Sequence, residues 1–235
     1  KTESLEELVQ KYFGSMEAAQ ESGEFPDLET PSIKGLRTGY HYEEEASKTT
    51  VHIETIKPVS ETKDTCAKRR EEIVRQVANQ IISKRLDIMA KDEGSSFNSG
   101  DSYAFDWMDY VTWCAVKLTS ASDDWKGALQ TAEKELRRAL KYGFTENELE
   151  TAKSRMLKRY QRRAESASTR KSGSIADNIV RSIRRKEVFT PPSADLELVK
   201  NTLDVLTTDG VLASLRETWE GENRNIFVSG DAKVE

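Results

Sequence analysis

Residues 125–160 carry the strongest constraint in this sequence. Trp125, Leu129, Ala132, Leu136 and Leu140 step by three or four up to Gly143, and Leu149, Ala152, Met156 and Tyr160 continue at the same spacing beyond it. Such spacing puts each set on one side of a helix. Gly143 suits a left-handed turn, and Thr145 with Glu148 forms the capping box that opens a second helix. Two apolar helix stripes joined by so short a turn must lie side by side and bury their faces on something else.

The rest of the chain supplies that surface. Arg37–Ile56 is rich in β-branched and aromatic residues, with Ala46-Ser47-Lys48 at a turn, and is expected to form a hairpin of two strands. After Pro58, Ile73, Val74, Val77, Ala78, Ile81, Ile82 and Met89 predict a long helix ending before Gly94. Tyr103–Leu118 predicts two more strands, with residues 120–124 (Ser-Ala-Ser-Asp-Asp) as the start signal of the next helix. The second helix of the pair is expected to bend or break around Gly173. Helical patterns resume at Leu196–Leu206 and Val211–Trp219, and Ile226-Phe227-Val228 predicts a last strand. Consecutive strand pairs followed by grouped helices imply an α+β fold, a two-layer sandwich with a mostly antiparallel sheet covered by helices.

At the N-terminus, Leu5, Leu8, Val9, Tyr12 and Phe13 predict a helix closing at Gly14. The stretch Gly23–Ser32, with two prolines, reads as a linker. Residues 1–25 are therefore expected to be the end of a preceding domain, and 26–235 a single domain. Lys1-Thr2-Glu3-Ser4-Leu5 lacks an apolar signal region, and the chain is expected to be a piece of a larger protein. No stretch has the roughly 18 apolar residues of a membrane helix, so a soluble chain with no membrane segment is expected. Its compartment stays open, bacterial periplasm and cytoplasm included.

Chemistry-bearing residues are sparse. Cys66 and Cys114 are too few for a disulfide framework or a zinc cluster, and buried free thiols are expected. His41 and His52 would face each other across the first hairpin with Glu43, Glu44 and Glu45 nearby, but a catalytic zinc needs three protein ligands and ordinary strand histidines are the simpler reading. The carboxylates at 43–45 read as a solvated strand end. Ser95, Ser96, Ser99 and Ser102 with Asp101 lack a nearby histidine and read as a polar loop. Residues 151–186 hold twelve Lys and Arg against Glu165 and Asp177, a net charge of +10 in a chain of net −5. That segment raises nucleic-acid binding as a rival function. The absence of interleaved aromatics instead favours a solvated face paired with acidic neighbours or an acidic partner domain. Phe105-Asp106-Trp107-Met108-Asp109-Tyr110 either packs on the sheet or lines a surface that takes an extended peptide.

One stretch carries a family resemblance. Leu136 to Lys153, with Gly143-Phe144-Thr145 followed by Glu148-Leu149-Glu150-Thr151-Ala152-Lys153, resembles a segment of the pitrilysin and insulinase family of zinc peptidases, which includes the mitochondrial processing peptidases. Leu8–Gly14, Ile82-Ser83-Lys84-Arg85-Leu86, Gly94–Phe97, Leu206–Val211 and Asn225–Gly230 match the family in the same order. The resemblance implies homologous α/β units enclosing a chamber, of which the first holds zinc through His-x-x-Glu-His and a distal Glu. This chain contains no such string, so no catalytic residue, cofactor or metal is expected here, and zinc is expected in the parent's catalytic domain. The fourth unit of some relatives offers an Arg and a Tyr, seven positions apart, that hold substrate. The nearest positions here, Lys91 and Phe97, lack the guanidinium, the hydroxyl and the spacing. They are the candidate chamber positions, and their divergence favours the second unit.

The resemblance thus implies an inactive structural domain of a zinc metalloendopeptidase. Its partners would be the catalytic domain of the same polypeptide and the parent's peptide substrate. The alternatives are a stand-alone interaction scaffold of the same fold, or a basic-helix module binding nucleic acid.

Overall fold

A computed structural model describes residues 2–17, 34–59, 63–107, 110–121, 124–221 and 223–233. The chain divides into two compact units, residues 1–30 and 31–235. The described part of the first is helix α1 (Thr2–Phe13), its stripe ending at Gly14 as the spacing predicts. The boundary expected at 25/26 and the whole linker Gly23–Ser32 lie outside the described residues.

The second unit is a five-stranded mixed sheet with helices. Its strands are β1 (Gly35–Tyr42), β2 (Thr49–Pro58), β3 (Ser99–Trp107), β4 (Val111–Ser120) and β5 (Asn223–Gly230), and their order in the sheet is β1-β5-β2-β4-β3. β5 with β1 is the parallel pair, and the other three pairings are antiparallel. The α+β architecture expected from the sequence is the one observed.

The first hairpin is not. β1 and β2 are antiparallel neighbours in sequence, but β5 lies between them, paired to β1 on one side and to β2 on the other. The cause is the difference in apolar content. β5 places Val228 opposite Val51 and Ile226 opposite Ile53, in the sheet interior. β1 (Gly-Leu-Arg-Thr-Gly-Tyr-His-Tyr) is exposed along its whole length and occupies the edge. A strand of that composition loses little by having one neighbour, whereas Ile226 and Val228 gain a buried cross-strand partner. The six-residue link 43–48 spans the gap, with the Glu43 amide donating to the Gly230 carbonyl at 2.8 Å.

Alternation along β2 sets the two faces. Thr49, Val51, Ile53 and Thr55 are buried, while Thr50, His52, Glu54 and Ile56 point to the opposite side. Register carries the buried set across the sheet: Val51 pairs with Leu118, Ile53 with Val116, and Gly100 with Leu118. On this face lie α2 (Cys66–Met89), α3 (Trp125–Tyr142), α4 (Glu146–Glu165), α6 (Pro192–Asp204) and α7 (Thr208–Trp219), with α5 (Ser172–Arg184) between α4 and α6 in sequence. Fully buried Leu86, Leu136, Leu149, Met156 and Leu215 join the strand residues in one core. Each such side chain contributes about 1.5–3 kcal/mol.

α2 approaches β3 so closely that a Cβ on Gly100 would lie 2.9 Å from the Leu86 Cβ. The α3–α4 hairpin forms as expected. Gly143 ends α3 with φ +70°, and the Thr145 hydroxyl and Glu148 carboxylate cap each other's backbone amides. α4 ends at Glu165, earlier than the break expected near Gly173, and a 3-10 turn at Ala167–Thr169 leads into α5.

Candidate functional site

The two histidines do not face each other as the expected hairpin would have them. His41 pairs with Ser229 and His52 with Phe227, so β5 separates the two histidines that a hairpin would have faced together. His52 Nδ1 lies 3.2 Å from Glu54 Oε1 on the same strand. Among the described residues no three His, Cys, Asp or Glu side chains converge as a metal site would require. Glu43, Glu44 and Glu45 are exposed in the link that follows β1.

The serines serve structure. Ser102, with Ser99, belongs to β3 rather than to a loop, and its buried hydroxyl donates to Asn79 Oδ1 at 2.6 Å. Ser83 of α2 donates to Asp101 at 2.5 Å. The Ser95 hydroxyl donates to the Phe97 carbonyl at 3.0 Å. Phe97 itself is a core residue, 3% exposed, while Lys91 is exposed in the turn that follows α2.

Cys114 is buried on the helix face of β4, and burial pushes its thiol up to about 11. Cys66 departs from expectation. It opens α2 and is exposed because that helix buries no side chain before Ile73.

Three arrangements stand out. The first is a buried ion network around Arg85, on the inner face of α2. Its Nε and Nη2 donate to the two carboxylate oxygens of Glu148 at 2.5 and 2.9 Å, its Nη1 to Glu135 Oε1 at 2.9 Å, and its Nη2 also to the Gly143 carbonyl at 2.9 Å. The guanidinium carbon lies 5.2 Å from the centre of the Phe144 ring. One side chain therefore ties α2 to the end of α3, the turn and the start of α4. The Arg85 guanidinium, with the amide and hydroxyl of Thr145, holds the Glu148 carboxyl down to about 2. Sequence reading placed Arg85 only inside a resemblance and missed Glu135. The signal was available: Glu135 sits among Ala128, Ala132, Leu136 and Ala139 on the buried stripe of α3, where a carboxylate needs a cation.

The second is the sheet face turned away from the helices. Register collects on it Tyr103, Phe105, Trp113, His52 and Phe227. Tyr103, Phe105 and Trp113 form a cluster with ring centres 5.8–6.3 Å apart. Phe105 is 39% exposed and Trp107, at the end of the edge strand, 49%. Met108 and Asp109 of the same stretch lie outside the described residues.

The third is the basic segment. Lys153 pairs with Glu150 at 3.0 Å and Arg185 with Glu187 at 3.7 Å, but Arg155, Lys158, Arg159, Arg162, Arg163, Arg170, Lys171, Arg181 and Arg184 have no carboxylate within 4 Å among the described residues. Pairing with acidic neighbours, expected from the sequence, therefore accounts for few of these charges. Two acids of the same region are already engaged, Asp64 by Arg69 and Asp106 by Arg75.

Among the described residues no helix is long and apolar enough to cross a membrane. The first half of the periplasmic protease PqqL from Escherichia coli has the same fold, with a TM-score of 0.86 at 14% identity. That match covers 98% of this chain and 49% of the other. A predicted insulinase family protease from Yersinia pestis matches with a TM-score of 0.77 at 13% identity, covering 100% of this chain and 50% of the other. Complete PqqL gives a TM-score of 0.85 at 14% identity, over 98% of this chain and 25% of its own length. The chain thus spans between a quarter and a half of the proteins it resembles. A search of curated protein sequences finds no match. The family model described as "Peptidase M16 inactive domain" matches residues 1–156. The chain belongs to the inactive-domain family of the M16 peptidases, the insulinase and pitrilysin type anticipated from its helical hairpin.

Proposed function

We propose that this chain is the second unit of a zinc metalloendopeptidase, a domain without catalytic residues that packs against the zinc-bearing domain of the same polypeptide and helps enclose the peptide chamber. The observation that carries the reading is the aromatic face of the sheet. The helices of residues 66–219 cover one face, and the other presents Phe105, Trp107 and Phe227 to solvent around a half-buried aromatic cluster. An apolar surface of that kind, on a chain spanning a fraction of its structural relatives, fits an interface with the missing part. Zinc belongs to the partner in this reading, and the parent's peptides are cleaved there by a zinc-activated water. Of the two positions compared with a substrate clamp, Lys91 is exposed and is the one able to reach a substrate in this reading, while Phe97 lies in the core.

The test is association with the separately produced zinc-bearing domain. Phe105→Ser and Trp107→Ser each weaken binding by about 2 kcal/mol or more if this face is the centre of the interface. Unchanged affinity in both variants would remove the interface from this face. Failure of the wild-type chain to associate would leave a stand-alone scaffold as the better reading.

A further inference from the structure

The basic segment borders a cleft whose charged lining the packing role does not use. A cavity of about 530 Å³ lies between the first half of α2, the edge strand β3, the end of α4 and α5. Lys68, Arg69, Arg75, Arg163, Arg170, Arg181, Arg185 and Lys186 line it against Asp64, Glu72, Asp106, Glu187 and Asp195. The carboxylates are largely engaged: Arg69 lies 2.5 Å from Asp64 and 3.6 Å from Asp195, Arg75 3.4 Å from Asp106, and Arg185 3.7 Å from Glu187. Arg163, Arg170 and Arg181 are left without a carboxylate partner among the described residues. Arg163 stacks 5.5 Å from the centre of the Tyr160 ring, itself a wall of the cleft, and Arg170 Nε donates to the Ala167 carbonyl at 3.3 Å.

The orientation of α5 is the second, independent sign. Its apolar residues Ile175, Ile179, Val180 and Ile183 fall on one side and Asn178, Arg181 and Ser182 on another, at helical spacing. A helix on a protein surface ordinarily turns its apolar side inward. Here Asn178, Arg181 and Ser182 line the cleft, while Ile183 is 71% exposed and Val180 55%. The polar side of α5 thus borders the cleft, and its apolar side does not.

We propose that this cleft is a binding site for an acidic peptide segment, with Arg163, Arg170 and Arg181 receiving its carboxylates and Tyr160 and Phe105 packing along its chain. Several dispersed guanidinium groups in a confined space suit carboxylates spaced along an extended backbone. A nucleic acid duplex is disfavoured, because five carboxylates rim a space of a few hundred cubic ångströms and the whole chain carries a net −5. The site borders the aromatic sheet face, with which it shares Phe105, but its guanidinium groups belong to α4, α5 and the turn between them, and it does not depend on the parent's catalytic metal.

The experiment is fluorescence anisotropy of the 235-residue chain with a labelled hexapeptide of alternating Glu and Ala. An oligothymidylate of equal charge and a Gln-for-Glu peptide are run beside it at low and moderate salt. The expected result is saturable binding of the acidic peptide that weakens with salt, is absent for the Gln peptide, and falls roughly tenfold for each of Arg163→Gln and Arg181→Gln. Controls of the same charge change, Arg137→Gln and Lys141→Gln made singly on the exposed side of α3, leave binding unchanged. All four positions are solvent-exposed, so the variants keep the core intact. No binding by the wild-type chain, equal weakening by either control, or tighter binding of the oligothymidylate would each overturn the proposal.

Discussion

Removing the Arg85 guanidinium should destabilise the domain more than any other single polar change, and in a pH-dependent way. In Arg85→Ala, Glu135, 4% exposed, is left with one cation, Arg138 Nη1 at 3.3 Å, Glu148 loses its cation and keeps only the Thr145 donors, and the Gly143 carbonyl loses the guanidinium. Removing one partner of a buried ion pair typically costs 3–5 kcal/mol, because the other charge is left without compensation. The Glu148 carboxyl sets the pH signature. Its value falls from an ordinary 4.5 to about 2 in the folded protein. At 1.36 kcal/mol per unit, and with about a quarter of the side chain in water, that shift amounts to about 2–3 kcal/mol. A depressed carboxylate stabilises the fold fully above its unfolded value and loses that contribution as pH falls through the folded one. The contribution is therefore complete above about pH 4.5 and gone by about pH 2. Urea unfolding followed by tryptophan fluorescence across this range measures it. Arg85→Ala should lose about 3–5 kcal/mol at pH 7 and should show a shallower decline of stability between pH 4.5 and 2 than wild type. Comparing the two proteins cancels other depressed carboxyls such as Asp64, which Arg69 holds down in both. A loss under 1 kcal/mol at pH 7, or an identical acid slope, would refute the reasoning.

Other consequences are simpler to measure. Gly143→Ala should lower stability by at least about 1 kcal/mol, since φ there is +70° and the added Cβ would meet Leu212 Cδ2 at 3.1 Å. Chemical denaturation reads it. Gly100→Ala should also destabilise, because its Cβ would lie 2.9 Å from Leu86 Cβ in the tight α2–β3 contact, and the same assay applies. Titration with a thiol reagent at pH 8 should modify Cys66 quickly and Cys114 only on unfolding, given burial and a thiol value of about 11. Two equally fast thiols would contradict the placement of Cys114.

The sequence was most legible where local rules and packing agree. The α3–α4 hairpin was readable because Gly143 and the Thr145–Glu148 capping box act within a few residues, and α2 because its stripe runs unbroken from Ile73 to Met89. The pairing of β1 with β2 was misread because strand order is a long-range outcome. The competition between β1 and β5 for the place beside β2 is decided by Ile226 and Val228, about 180 residues away. The interaction surfaces were legible in part. The aromatic run at 105–107 was visible, but its companions Trp113 and Phe227 join it only through register. The charge of 151–186 could be counted, but not its distribution into paired and unpaired residues, because that depends on where α5 turns its polar side. Glu135 was overlooked because one carboxylate on a helix stripe looks like a break in pattern until its cation arrives from another helix.

The central claim is that this domain is catalytically inactive and serves a zinc-bearing neighbour. Cleavage of a quenched fluorogenic peptide tests it most directly, measured for this chain alone with added zinc, for the zinc-bearing domain alone, and for the two together. The account predicts no hydrolysis above background by this chain, and faster hydrolysis by the pair than by the zinc-bearing domain alone. Zinc-dependent hydrolysis by this chain on its own would contradict it.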